Sequence, residues 1–116
     1  MEIAHVAEVC HEANCVLQHY NGDTIAAPWD TLPEDQKERV INGVALRLKN
    51  PDSDPEFMHE NWLRDMTADG YVLGDQIDHE NKTHSCLKKY DDLPLNQRVK
   101  DTLFGAIVDS LRECVT

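Results

Sequence analysis

The chain has 116 residues, 22 acids against 11 bases and a net charge of −11. That length holds one compact domain and not two, and the acidic balance disfavours binding to a nucleic-acid polymer, which draws on basic patches and counterion release. No apolar run approaches the roughly 18 residues of a membrane span, which argues against a membrane partner.

The first predicted helix covers residues 2–20. Ile3, Val6, Cys10, Ala13 and Leu17 recur at three- and four-residue steps. Val9, Val16 and Tyr20 form one flank of that stripe. His11, Asn14 and Gln18 form the other, between core and solvent. Glu8, Glu12, Cys15 and His19 face away. Asn21-Gly22-Asp23 ends the helix, with Gly22 a left-handed cap. A linker with Trp29 after Pro28 follows.

A second helix starts near Pro33, where Thr31 and Glu34 have capping-box spacing. Its buried stripe is Val40, Ile41, Val44, Ala45 and Leu48. Gly43 inside it costs about 1 kcal/mol against Ala, which close packing or a ligand would justify. A third helix runs from about Pro55 to Ala68, with Met58, His59, Trp62, Leu63 and Met66 on one face and Gly70 as its stop. Tyr71-Val72-Leu73 is short and β-prone. Residues 75–93 read as a polar irregular loop, and long loops in small domains are often functional. A last helix begins near Pro94, with Leu95, Val99, Leu103, Ile107, Leu111 and Cys114 on one side. The expected fold is therefore mainly α: a single small helical domain over residues 1–116, of about four helices, with a short extended β-like segment between the last two.

One internal echo is visible. Trp29-Asp30-Thr31-Leu32-Pro33-Glu34-Asp35-Gln36-Lys37 resembles Tyr90-Asp91-Asp92-Leu93-Pro94-Leu95-Asn96-Gln97-Arg98. The plain reading is two similar helix starts. The alternative is a pseudo-repeat that gives Trp29 and Tyr90 related positions.

Candidate site residues follow from side-chain type and spacing. His59 and Trp62 stand one turn apart and share a face. They form either a core pair or an aromatic platform with a hydrogen-bonding edge, on which a base stacks for about 1–3 kcal/mol. Tyr71 and Tyr90 extend such a platform. Lys82 and His84, with Lys88 and Lys89 nearby, supply donors to a phosphate or carboxylate in the most basic stretch of the chain. His11 and Asn14 are either boundary residues or the opposite wall of the same pocket, which Gly43 would let a ligand approach closely. His11, Cys15 and His19 have spacing that can hold zinc, but Cys15 and His19 face away from the predicted core, so a solvated stripe is expected and no metal. The four cysteines include no Cys-x-x-Cys pair, and with no basic start or apolar stretch at the N-terminus they are expected as free thiols in a cytoplasmic protein. No nucleophile elbow, phosphate loop or His-Glu-x-x-His motif is present, so no catalytic residue, cofactor or enzyme activity is expected.

These residues carry a family resemblance. His59-x-x-Trp62, Gly70-Tyr71-x-x-Gly74, Asp78-x-x-x-Lys82-x-His84, Tyr90-Asp91-Asp92-Leu93-Pro94 and Asp101 resemble, in order and spacing, the ryanodine-receptor repeat (RyR) domain. Tyr71, Leu73, Ser85 and Lys89 stand where that pattern has Trp, Tyr, Pro and Pro. Upstream, Val9-Cys10-His11-Glu12-Ala13-Asn14, Trp29 and Ile41-Asn42-Gly43-Val44 look like the stand-alone RyR-domain proteins of bacteria and their phages. The resemblance implies a mainly helical fold. It also implies a small-ligand module for a nucleotide-derived or ADP-ribose-like signal, which a phage protein would sequester in the host cytoplasm, with Trp29 among the ligand residues. Assembly into homo-oligomers fits that use. The competing expectation is a structural or protein-interaction module with no small ligand.

Overall fold

The computed structural model describes all residues, Met1–Thr116. Four helices form the body: α1 (Ile3–Asn21), α2 (Glu34–Lys49), α3 (Pro55–Ala68) and α4 (Leu95–Leu111). Two-residue strands β1 (Val72–Leu73) and β2 (Thr83–His84) lie between α3 and α4 and pair in parallel, Val72 with Thr83 and Leu73 with His84. The mainly helical single domain expected from the sequence is the architecture found. No helix is long and apolar enough to cross a membrane.

Local chemistry sets the helix ends. Asp54 caps α3 by accepting from the Phe57 amide at 2.8 Å, with Pro55 in the first turn. Gly22 (φ 73°) and Gly70 (φ 92°) take the left-handed conformation just past α1 and α3. The capping box expected at Thr31 and Glu34 does not form. Thr31 Oγ1 donates to the Pro28 carbonyl instead, because Trp29–Thr31 coils into a 3-10 turn that leaves Pro33 as the residue before the helix.

The core is Val6, Ala7, Cys10, Trp29, Leu32, Val44 and Val108. Two expectations about helix faces are corrected. On α1 the apolar flank points outward: Val9 and Val16 are exposed, and Tyr20 is 82 % exposed. The polar flank is the buried one, because the 23–28 linker folds over it and supplies partners. His11 Nε2–H donates to the Ala27 carbonyl (2.7 Å), and Gln18 Oε1 accepts from the Ala26 amide (2.9 Å). Of the stripe expected for the last helix, Leu103, Ile107 and Leu111 do face inward, but Leu95 and Val99 on α4 and Cys114 just beyond it are exposed, and Phe104, Gly105 and Val108 complete the inward face. The loop expected over residues 75–93 is ordered too. It holds β2 and a second 3-10 turn, Tyr90–Asp92, and Asp78 accepts from the Glu80 and Asn81 amides at 3.1 Å.

The internal echo is a structural duplication. Trp29–Thr31 and Tyr90–Asp92 are both 3-10 turns, each followed by an extended leucine (Leu32, Leu93), a proline and a long helix. Leu32 and Leu93 are both buried. The likeness extends back to α1 and α3. His11 Nε2 bonds the Ala27 carbonyl and His59 Nε2 the Lys88 carbonyl, each at 2.7 Å and each two residues before the turn's aromatic. The Trp29 amide donates to Glu12, and the Tyr90 amide to Glu60. Lys37 lies over the Trp29 ring at 5.5 Å and Arg98 over Tyr90 at 5.4 Å. Gly22 and Gly70 follow the two histidines at the same distance in sequence. The chain is thus two α–turn–α halves. The second carries the β segment as an insertion between Gly70 and Tyr90.

Candidate functional site

A cavity of about 550 Å³ lies between the halves, within the size range of ligand pockets. Both halves build it from equivalent positions. His11 and His59 line it, as do Asn14 and Trp62, from α1 and α3. Gln36 and Gln97 face it from α2 and α4, with Arg39 and Lys100 one turn further on. Gly43 and Phe104 are equivalent residues that meet: a Cβ on Gly43 would stand 3.2 Å from the Phe104 ring tip. The interior Gly of α2 therefore makes room for the aromatic of α4.

The cavity wall on the α3 side is aromatic. The Trp62 ring lies 5.3 Å from His59 and 4.8 Å, edge-on, from His84. His84 Nδ1 accepts from the Cys86 amide at 3.0 Å, so its proton sits on Nε2. Burial, and then the charge of Lys100, pull the His84 pKa down to about 4. It is a neutral donor at pH 7. His59 is the opposite case. Burial pushes it down, but Asp101 (3.5 Å from Nδ1) and the Lys88 carbonyl outweigh burial and raise its pKa above the ordinary value. Asn14, Gln36 and the Trp62 indole carry polar atoms that stay open to the cavity rather than buried without partners.

Each pocket cation is countered by a carboxylate from the other half. Lys100 Nζ bonds Asp23 Oδ2 at 3.1 Å, and Arg39 Nη2 bonds Asp69 Oδ2 at 2.9 Å. Each carboxylate keeps a second donor. Gln97 Nε2 also bonds Asp23 (2.9 Å), and Lys82 Nζ bonds Asp69 Oδ1 (3.3 Å). For Asp23, burial pushes the pKa up, but the bonds from Gln97 and Lys100 win and hold it below the usual range.

Of the residues expected at a site, His11, Asn14, His59, Trp62 and His84 come together around the cavity. Trp29, Tyr71, Lys82 and Tyr90 do not line it. Trp29 is core, tilted against His11 with ring centroids 5.8 Å apart. Tyr71 is buried beneath Arg39 with its hydroxyl 2.6 Å from His79 Nδ1. Lys82 is exposed and its ammonium is held by the Asp69 carbonyl (2.7 Å) and carboxylate. Tyr90 packs behind His59 at 6.0 Å. Cys15 packs inward, its Sγ 3.6 Å from His11 Nε2, while His19 stacks edge-on with Tyr20, so the three helix positions do not converge on one ion. The residues not chosen from the sequence are Gln36, Arg39, Gln97 and Lys100. The repeat that relates them was the signal that could have found them.

Scanned against known family models and against curated proteins, the sequence matches none.

Proposed function

We propose that this chain is a small-ligand binding module of RyR-like character, and that its cavity takes a nucleotide-derived molecule. The observation that carries this reading is the composition of one cavity: an aromatic wall of Trp62 and neutral His84, open amides at Asn14 and Gln36, and a cation at each of Arg39 and Lys100. A base stacks on Trp62 for about 1–3 kcal/mol. The amides read polar edges, and the cations receive anionic oxygens. The module would hold its ligand in the cytoplasm without converting it. A nucleophile finds little support: burial pushes the Cys10 thiol up to about 12 and raises Cys15 and Cys86 as well, which keeps them protonated. The His11 nitrogen nearest Cys15 already donates to the Ala27 carbonyl, so it is not a base for that thiol.

The test is a thermal-shift screen against cyclic nucleotides, ADP-ribose and cyclic ADP-ribose isomers. A ligand at about 100 times its Kd should stabilise the fold by about 2.7 kcal/mol. The rise should vanish in Trp62→Ala, weaken in Lys100→Ala, and survive Lys82→Ala, because Lys82 is tied to Asp69 away from the cavity. A second reading has its own observation. Val9, Val16 and Tyr20 form an exposed stripe along α1, a surface for a protein partner or a second copy. A flat response across the panel would move the assignment to that interaction module.

A further inference from the structure

The cavity lies where the two halves meet, and their relation has the character of a two-fold axis. Two observations establish it. Gly43 and Phe104, equivalent residues, touch each other, as equivalent residues do only on the axis itself. Contacts also exchange across it: Lys100 of the second half bonds Asp23 of the first, and Arg39 of the first lies over Tyr71 of the second, 5.6 Å from the ring centroid. Arg39 and Lys100 precede Gly43 and Phe104 by one helical turn each. The two cations therefore flank the axis on opposite sides of one cavity.

We propose that the cavity binds one ligand with two phosphate groups set about a two-fold or near two-fold arrangement, the class of cyclic dinucleotides, with one phosphate at Lys100 and the other at Arg39. This rests on the nucleotide-binding reading above and narrows it. In the free chain Asp23 and Asp69 occupy the two cations. Because Gln97 and Lys82 hold those carboxylates as well, each cation can turn to a phosphate without leaving its aspartate unpaired. The duplication is imperfect where bases would lie. Trp62 is a stacking face, and its equivalent, Asn14, is a hydrogen-bonding amide. The two heads are read differently, one by stacking and one by its polar edge. A ligand with two unlike bases suits the site best.

The experiment is titration calorimetry on the full chain with 3′,3′-cyclic di-AMP, cyclic di-GMP and the mixed cyclic GMP–AMP, against AMP, GMP and ADP-ribose. The expected result is one cyclic dinucleotide per chain, bound about 100-fold more tightly than the matching mononucleotide, since the second anchor binds intramolecularly. Arg39→Gln and Lys100→Gln should each weaken it about 10-fold. Asp23→Asn and Asp69→Asn should strengthen it, because each removes an internal competitor, and a poorly folded variant would not bind better. If ADP-ribose or a mononucleotide binds as tightly as every cyclic dinucleotide, or if only one of the two cations matters, the two-phosphate assignment fails and the nucleotide reading stands. If none of the six nucleotides binds, both fail.

Discussion

His59 and His84 flank the same indole and have opposite protonation behaviour. His84 lies among buried groups, near Lys100 and with its Nδ1 engaged as an acceptor, all of which favour the neutral ring. His59 faces a carboxylate and a carbonyl, which favour the charged ring. The consequences for stability have opposite signs. His84 has a folded pKa of about 4 against an ordinary 6.5. The unfolded chain gains a proton first as pH falls, so the stability His84 supports is present above 6.5 and is lost between 6.5 and about 4. His59 has a raised pKa, so its contribution is full below 6.5 and is lost as pH rises through the folded value. We expect wild type to lose up to about 3 kcal/mol more stability than His84→Gln on acidification across that window. Urea unfolding at a series of pH values measures the difference, and parallel curves for the two proteins would rule the burial argument out. Both histidines were legible as candidates because their side chains carry chemistry in any context. Arg39 and Lys100 were not, because a basic residue on a helix reads as a solvated charge until a second helix closes over it. The Gln36/Gln97 pair inside the sequence echo stands only three residues before them.

At the scale of elements, all four helices were legible. Their apolar spacing and their stops are local properties, and the two stops are the same device used twice. Gly22 holds positive φ one step past α1 and Gly70 two steps past α3, and each of these helices carries a buried histidine. A Cβ on Gly22 would meet nothing within 4 Å, and one on Gly70 only the Lys82 Cδ at 3.9 Å. Sterics beyond the backbone are therefore absent at the first and ordinary at the second. Gly22→Ala and Gly70→Ala should each cost about 1–2 kcal/mol, and the Asn variants less, since Asn tolerates the left-handed region. Chemical denaturation of the four variants checks this, and an unchanged midpoint in Gly22→Ala would show that the cap relaxes freely. What was not legible is the rotation of α1. An apolar flank of Val9, Val16 and Tyr20 competes with a polar flank of His11 and Gln18. The polar flank wins because the linker brings a carbonyl and an amide to it, and those partners are distant in sequence. The β1–β2 pair was half legible for the same reason. Val72 and Leu73 have strand character of their own, whereas Thr83 and His84 become a strand only by pairing.

The duplication also decides how the whole molecule holds together. Neither half owns a complete core. The cluster of Val6, Ala7, Cys10, Trp29, Leu32 and Val44 comes from the first half, and Val108 of α4 closes it. Across the join, Arg47 of α2 makes a two-pronged bond to Asp109 of α4, at 3.1 and 2.7 Å. A pair of helices with one open apolar face is too small to be stable alone, because isolated helices are marginal and short chains bury too little surface. Fragments 1–50 and 51–116 should therefore each be largely unfolded by circular dichroism. Mixed, they should recover helicity as a one-to-one complex. Association of like halves is the alternative that a two-fold relation invites, and the centre of the interface argues against it. Two first halves would set Gly43 against Gly43 and leave a void. Two second halves would set Phe104 against Phe104 where one ring already meets a glycine's Cβ position at 3.2 Å. Voids and overpacking each cost on the order of 1–3 kcal/mol, so the large–small pair selects the unlike partner. Analytical ultracentrifugation of each fragment and of the mixture separates the cases. A stable dimer of either fragment alone, or a folded monomer of either, would mean that the halves do not depend on each other. Gly43→Ala in the first fragment should weaken the mixed complex without changing the state of that fragment alone, because the Cβ meets Phe104 only after the halves join.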